Sequence, residues 1–256
     1  MKVNITNRKS QKVVVLVEEA DDPKRLVFIM HGLSGYKEEL QIDAFATAFK
    51  EESFTVVRFD TTNTFGESDG KYEDATVTNY YEDLEDVLRW AESQLWFRKP
   101  FWLVGASLGA MAVALYSEKY PRDVAALAPI SALVSGALSL EAMGSEKASH
   151  WKDSGWREKM SSSHPGLIKR TPWSHMEDRL KYDLLPQASK LRMPVLLIVG
   201  SEDDTTPLSH QEKLLEALPG EKELHVIDGA GHAFREKSHL EEVKSVIKTW
   251  IIKHSR

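Results

Sequence analysis

The 256-residue sequence contains no cysteine, so neither a disulfide framework nor a thiolate metal site can be built from it. Nowhere do eighteen apolar residues run together, which argues against a membrane-spanning helix. The opening Met1-Lys-Val-Asn-Ile-Thr-Asn-Arg-Lys-Ser10 lacks the apolar segment of a signal peptide. Basic residues are in deficit, Lys+Arg 33 against Asp+Glu 39 for a net charge of -6, and no basic run is concentrated enough to follow a phosphate backbone. Nucleic acid is therefore not an expected partner. The nine histidines are scattered, with no His-x-x-x-His pair and no compact His/Asp cluster, so neither a metal nor another cofactor is expected. What remains is a cytoplasmic globular protein, monomer or homodimer, with a small-molecule partner. Hydrophobic residues make up 42% and charged ones 28%, enough for one substantial core.

The apolar segments alternate in type. Val3–Ile5 and Lys12–Glu18 read as a pair of strands joined by a polar connection. Unbroken apolar runs follow at Arg25–Met30, Phe54–Phe59, Phe101–Ala106, Val124–Pro129 and Pro194–Gly200, with Glu223–Asp228 last. Runs of this kind mark strands buried on both faces. Between them, helical spacing of apolar residues occurs over Glu38–Phe49, Val77–Phe97, Ser209–Leu218 and Leu240–His254. This alternation predicts an α/β fold with a doubly wound, mostly parallel, eight-stranded sheet.

The run Phe101-Trp-Leu-Val-Gly105 leads into Ala-Ser107-Leu-Gly109-Ala-Met, and the apolar helical pattern continues to Tyr116. A Gly-x-Ser-x-Gly turn between strand and helix needs small residues two places either side of the serine, because strand and helix approach closely there. Such a turn exposes the Ser107 hydroxyl at the carboxyl end of the strand, with the Leu108 amide at the helix start. A second copy, Gly66-Glu-Ser68-Asp-Gly70, follows no strand directly and precedes a polar stretch, so it reads as a Gly-rich surface turn.

From about Leu133 to Leu191 no strong strand occurs, which is far longer than an ordinary connection. The expected division is a core of residues 1–132 and 192–256, with a helical cap, 133–191, inserted after the sixth strand. The insertion carries Trp151, Trp156 and Trp173, three methionines, and His150, His164 and His175. Its aromatics are expected to pin it to the core and to line a pocket for an apolar or aromatic group.

A serine hydroxyl becomes a nucleophile when a base takes its proton and a buried carboxylate orients that base. The chain supplies both late. Gly200-Ser-Glu-Asp203-Asp204-Thr-Thr-Pro207 follows one buried strand and Gly229-Ala-Gly231-His232-Ala-Phe234 follows the last, so Ser, acid and His occur in that order. Each lies at the carboxyl end of a different strand.

On these residues the chain, from about residue 24 to its end, resembles the α/β-hydrolase fold serine esterases. The resemblance implies Ser107 as nucleophile, His232 as general base and Asp203 as its orienting acid, since Gly200, Asp203 and Pro207 match the family's Gly-x-x-Asp-x-x-x-Pro loop. His31-Gly-Leu33-Ser-Gly35 resembles the family's oxyanion loop, implying the amides of Leu33 and Leu108 as its donors. His31, Trp151, Trp156 and Trp173 are the expected substrate-binding residues, with His31 also bracing its loop. The His-Gly-x-x-Gly loop, Arg58-Phe-Asp60 leading to Gly66–Gly70, and the insertion are similar to cinnamoyl and feruloyl esterases and to acyl-peptidase-like hydrolases. The elbow Gly-Ala-Ser-Leu-Gly departs from the Gly-His-Ser-Gln-Gly of the former subgroup. The implied activity is carboxylic ester hydrolysis. A thioesterase or amidase on the same triad, and a binding protein without turnover, are the alternatives.

Overall fold

The computed structural model describes residues 1–21, 25–160 and 166–255. His164 lies outside the described residues. Ten strands occur among them: β1 Lys2–Thr6, β2 Lys12–Glu18, β3 Arg25–Met30, β4 Phe54–Phe59, β5 Phe101–Ala106, β6 Val124–Ile130, β7 Trp156–Met160, β8 Ile168–Pro172, β9 Val195–Gly200 and β10 Lys222–Ile227. Eight of them form one sheet in the order β1-β2-β4-β3-β5-β6-β9-β10. Pairing is antiparallel at β1–β2 and β2–β4 and parallel from β4 through β10.

Side-chain alternation builds a core on each face of this sheet. Leu26, Phe28 and Met30 of β3 and Phe101 and Leu103 of β5 enter one cluster, while Val27, Ile29, Trp102, Val104 and Ala106 enter the other. The first cluster is covered by α2 (Val77–Ala91), α3 (Leu108–Lys119) and α7 (Leu208–Ala217); the second by α1 (Leu40–Glu51) and α8 (Lys237–His254). Two-sided burial is why the central strands read as unbroken apolar runs.

Helix α2 ends at Ala91, six residues before the expected Phe97. The Ser93 hydroxyl donates to the Trp90 carbonyl at 2.8 Å, and the amides of Ser93 and Gln94 close turns on Trp90 and Ala91. A side chain that bonds the backbone locally competes with helix propagation. Leu95, expected on the buried face, is 97% exposed, and Trp96 takes the core position edge-on to Trp90.

The segment between β6 and β9 is not helical throughout. It runs through α4 (Gly136–Met143), α5 (Ser145–Ser154), the antiparallel ribbon β7–β8, and α6 (Trp173–Arg179). Trp156-Arg-Glu-Lys-Met and Ile168-Lys-Arg-Thr-Pro lack the apolar alternation of a half-buried strand, because the ribbon has no core beneath it. The second Gly-x-Ser-x-Gly is a turn, as expected, but one tied into the fold: the Ser68 hydroxyl accepts from the Val14 amide and donates to the Asp60 carbonyl.

Backbones approach closely at the start of α3. A Cβ on Gly105 would stand 2.5 Å from the Gly109 carbonyl carbon and 2.6 Å from the Ala110 nitrogen, and one on Gly109 would collide with the His31 carbonyl oxygen. Ser107 between them takes φ 53° and ψ -111°, outside the helical and extended regions. Gly231, by contrast, faces open space, so glycine there is not required by packing. Gly105→Ala is expected to lower stability by about 1–3 kcal/mol or more, a fall in Tm of roughly 2–10 °C. Gly231→Ala is expected to leave Tm within about 1 °C. Calorimetric scans of the two variants check the contrast.

Candidate active site

Because β3, β5, β9 and β10 run parallel and end nearly level, with Met30 opposite Gly105 and Ile227 opposite Gly200, the loops that follow them share one edge of the sheet. Three of the expected residues come together there in one hydrogen-bonded chain. Ser107 Oγ is 2.9 Å from His232 Nε2, and His232 Nδ1 is 2.8 Å from Asp203 Oδ2.

Asp203 is enclosed and Asp204 is exposed, which separates the two acids of this loop. The Asp203 carboxylate accepts from the amides of Thr205 and Thr206 at 2.9 and 2.8 Å and from the Thr206 hydroxyl at 2.8 Å. Burial acts to raise this carboxyl, but the His232 hydrogen bond and charge and the Thr206 donors outweigh it and hold it down at about 2. Thr206 was not singled out from the sequence; a hydroxyl residue three places after an aspartate in a loop is the local signal. Beyond His232, Phe234 is fully buried with φ 46° and fixes the loop to the core beside α8.

His31, expected among the substrate-binding residues, has no access to substrate. It is fully buried: Nδ1 donates to the Gly32 carbonyl at 2.8 Å and Nε2 accepts from the Thr61 amide at 3.1 Å. Burial lowers its pKa, consistent with a neutral ring in this donor and acceptor arrangement. The Gly32 carbonyl also accepts from the Tyr80 hydroxyl at 3.0 Å and the Gly35 amide at 3.0 Å. Three donors fix that peptide plane, and since a trans peptide sets N–H opposite C=O, the Leu33 amide points the other way. Neither Leu33 nor Leu108 donates its amide to another described residue.

Leu33, Leu108, Ser107 and His232 line a cavity of about 160 Å³. It adjoins a groove of about 470 Å³ along residues 229–239 and one of about 1070 Å³ beside α4 and α5. Trp151 is buried against the small cavity, its Nε1 donating to the Thr171 carbonyl at 2.9 Å. Trp156 lines the largest groove, with the Arg170 guanidinium 4.5 Å above its ring. Trp173 lines none of these three cavities and packs edge-on against Trp151 at 5.5 Å. Cations that the sequence reading passed over, Arg157, Lys159, Lys169 and Arg179, also face the small cavity. The described residues offer one cluster with metal-ligand spacing, Glu221, Glu223 and His254. Lys253 already occupies it, at 2.9 and 2.7 Å from the two glutamates, and it starts β10 at the opposite sheet edge.

A mostly parallel eight-stranded sheet, a serine on a strained strand-to-helix turn and a His–Asp pair on later loops define a hydrolase of the α/β type. Residues 21–168 match the model of the serine aminopeptidase S33 family, and the chain belongs to that family. Residues 169–256 match the model of the PhoPQ-activated pathogenicity-related proteins. An uncharacterized 31.7 kDa protein of the traX–finO intergenic region of Escherichia coli is 26% identical over 98% of this chain and 100% of its own length. Among solved structures, Est1E from Butyrivibrio proteoclasticus with ferulic acid bound has a TM-score of 0.82 at 21% identity, over 98% of both chains. Mouse alpha/beta hydrolase domain-containing protein 10 has a TM-score of 0.81 at 19% identity, over 99% of both. These structural likenesses are of fold. No helix among the described residues is long and apolar enough to cross a membrane.

Asp203, at about 2 when folded against an ordinary 3.8, contributes stability that is complete above about pH 4 and is lost as the pH falls toward 2. Tm measured from pH 5 down to 2 is expected to fall more steeply for the wild type than for Asp203→Asn. Parallel curves would mean that the carboxylate is not held by its donors.

Proposed function

We propose that the chain cleaves carboxylic esters through an acyl-enzyme, with Ser107 as nucleophile, His232 as general base and Asp203 as the acid that orients it. The observation that carries this reading is the unbroken chain Ser107 Oγ, His232 Nε2, His232 Nδ1, Asp203 Oδ2, with links of 2.9 and 2.8 Å. Asp203, ionised through the neutral range, fixes the imidazole tautomer with hydrogen on Nδ1, which leaves Nε2 free to take the serine proton.

Ser107 Oγ adds to the ester carbonyl as His232 takes its proton. The charge that develops on the carbonyl oxygen meets the amides of Leu33 and Leu108, the first turned outward by the three donors on the Gly32 carbonyl. His232 then gives the proton to the departing alkoxide, and water, deprotonated by His232, releases the acid in a second addition. Residues 133–191 act as a cap: Trp151 and the β7–β8 ribbon close the small cavity over Ser107. Loss of one oxyanion donor typically costs about 10²–10³ in turnover.

The fold relative Est1E was solved with ferulic acid bound, and Trp151 at the cavity gives an aromatic wall, so aryl acyl groups belong in the test panel. Initial rates for p-nitrophenyl esters of graded acyl length, methyl ferulate, an acyl thioester and an aminoacyl anilide are expected to rank esters first. Ser107→Ala is expected to lose about 10⁴-fold or more in kcat and to lose labelling by a fluorophosphonate. Equal slow rates in wild type and Ser107→Ala would leave a binding protein.

A further inference from the structure

The small cavity at Ser107 has a wall of one sign. Arg157, Lys159, Lys169 and Arg179 line it and no carboxylate does, in a chain whose net charge is -6. Three of the four come from one face of the β7–β8 ribbon. Arg157 is registered with Thr171 and Lys159 with Lys169, so alternation puts all four of these side chains on the same side. Like charges directly opposite on a ribbon repel, and none of these cations has an acidic partner among the described residues. Burial and the neighbouring Lys159 lower the pKa of Lys169, whose ammonium, among the described residues, donates only to the Ser34 hydroxyl, at 3.0 Å. The other face of the ribbon is balanced, with Glu158 paired to Arg170 at 3.1 Å.

Arg179 is the deepest of the four. Its Nη1 donates to the Ser139 hydroxyl at 2.7 Å and its Nη2 to His175 Nε2 at 2.8 Å. His175 is able to accept because its Nδ1 donates to the Ala75 carbonyl at 2.7 Å. Burial and the neighbouring Arg179 charge hold His175 down at about 3, so the ring is neutral. Arg179 Nε is shielded from solvent and has no hydrogen-bond partner among the described residues. A guanidinium carries five N–H donors, so three remain, Nε among them. Burial, and after it the charge of the nearby Arg157, lower its pKa to about 10. A half-buried guanidinium without a carboxylate is costly unless an anion completes it, and the fork geometry suits a carboxylate held by two parallel hydrogen bonds.

We propose that the acyl group of the substrate ends in a carboxylate, seated against Arg179 and the Arg157–Lys159–Lys169 face of the ribbon. The substrates are then half-esters of dicarboxylic acids. This inference rests on the ester-hydrolase reading of Ser107. The acyl part is assigned to this cavity because the leaving alcohol takes its proton from His232 and so sits toward the groove along residues 229–239. Hydrolysis adds one water, breaks the acyl C–O bond and yields the free diacid and the alcohol, with no other reactant.

The test compares mono-p-nitrophenyl glutarate and adipate with the same compounds capped as methyl esters, reading p-nitrophenol release. Ser107→Ala supplies the blank for spontaneous cyclisation of the half-esters. In the wild type the free acids are expected to exceed the capped esters in kcat/KM by about 10- to 100-fold, the range of a hydrogen bond to a charged group. In Arg179→Gln the ratio is expected to fall to about one, and in Arg179→Lys to an intermediate value, because an ammonium restores charge but not the fork. Circular dichroism verifies that the variants fold, and the wild-type ratio stands without them. A wild-type ratio at or below one for both chain lengths overturns the inference while leaving the hydrolase reading intact. A ratio retained in folded Arg179→Gln overturns the role of Arg179. No release from any ester, with Ser107 unlabelled by fluorophosphonate, overturns the hydrolase reading and this inference with it.

Discussion

The structure depends on a contact between backbones. Where β5 turns into α3, Gly105 lies against the Gly109 carbonyl and Gly109 against the His31 carbonyl, distances that leave no room for a Cβ. The ends of β3 and β5 and the start of α3 are thereby tied to one point. The same closeness forces Ser107 into its left-handed conformation, a strain of about 1–3 kcal/mol, and brings Gly32 to the point where an added Cβ would stand 3.1 Å from Ser107 Cβ. The strain is offset by the burial around it, since every residue of β5 is enclosed and Leu108 through Ala114 are buried. Ser107 is therefore held between a fully buried strand and a buried helix, while His232 and Asp203 are brought to it by loops.

Those loops are fixed by polar contacts of a kind that apolar patterning does not encode. Asp203 is oriented by two amides and a hydroxyl of its own loop, and Gly32 by Tyr80, His31 and the Gly35 amide. Phe234 completes the arrangement from the other side by anchoring the His232 loop in the core. An aromatic in the apolar interior thus sets the position of an imidazole at the surface, which links the packing of α8 to the geometry at Ser107.

The sheet was legible in the sequence because its strands are buried on both faces, and two-sided burial leaves unbroken apolar runs such as Phe101–Ala106 and Val195–Gly200. The Ser and Asp positions were legible because each follows such a run, and His232 because its Gly-bearing loop follows the last strand, β10. Asp203 could be separated from Asp204 only by the family loop pattern, since the distinction lies in where the amides of Thr205 and Thr206 point. Helix α2 was read too long because Leu95 continues the apolar spacing while a Ser93 hydroxyl bond ends the helix. The β7–β8 ribbon left no signal: its residues are mostly polar and it packs on no core, so its charges read as a solvated surface. Arg179 escaped notice for the same reason, one charge among many in a polar segment.

The parity of the ribbon has a bearing on how this protein could change. Arg157 and Lys159 share a face only because they are two residues apart, and the register with Lys169 and Thr171 decides which face that is. Inserting or deleting one residue before Trp156 would turn Trp156, Glu158 and Met160 toward Ser107 and send Arg157 and Lys159 outward. Neither β5 nor the loops after β9 and β10 would need to shift. The Ser107–His232–Asp203 chain and the cationic face of the ribbon therefore reside on separate pieces of backbone, and a single indel could exchange that face for a neutral one while the chain stayed in place.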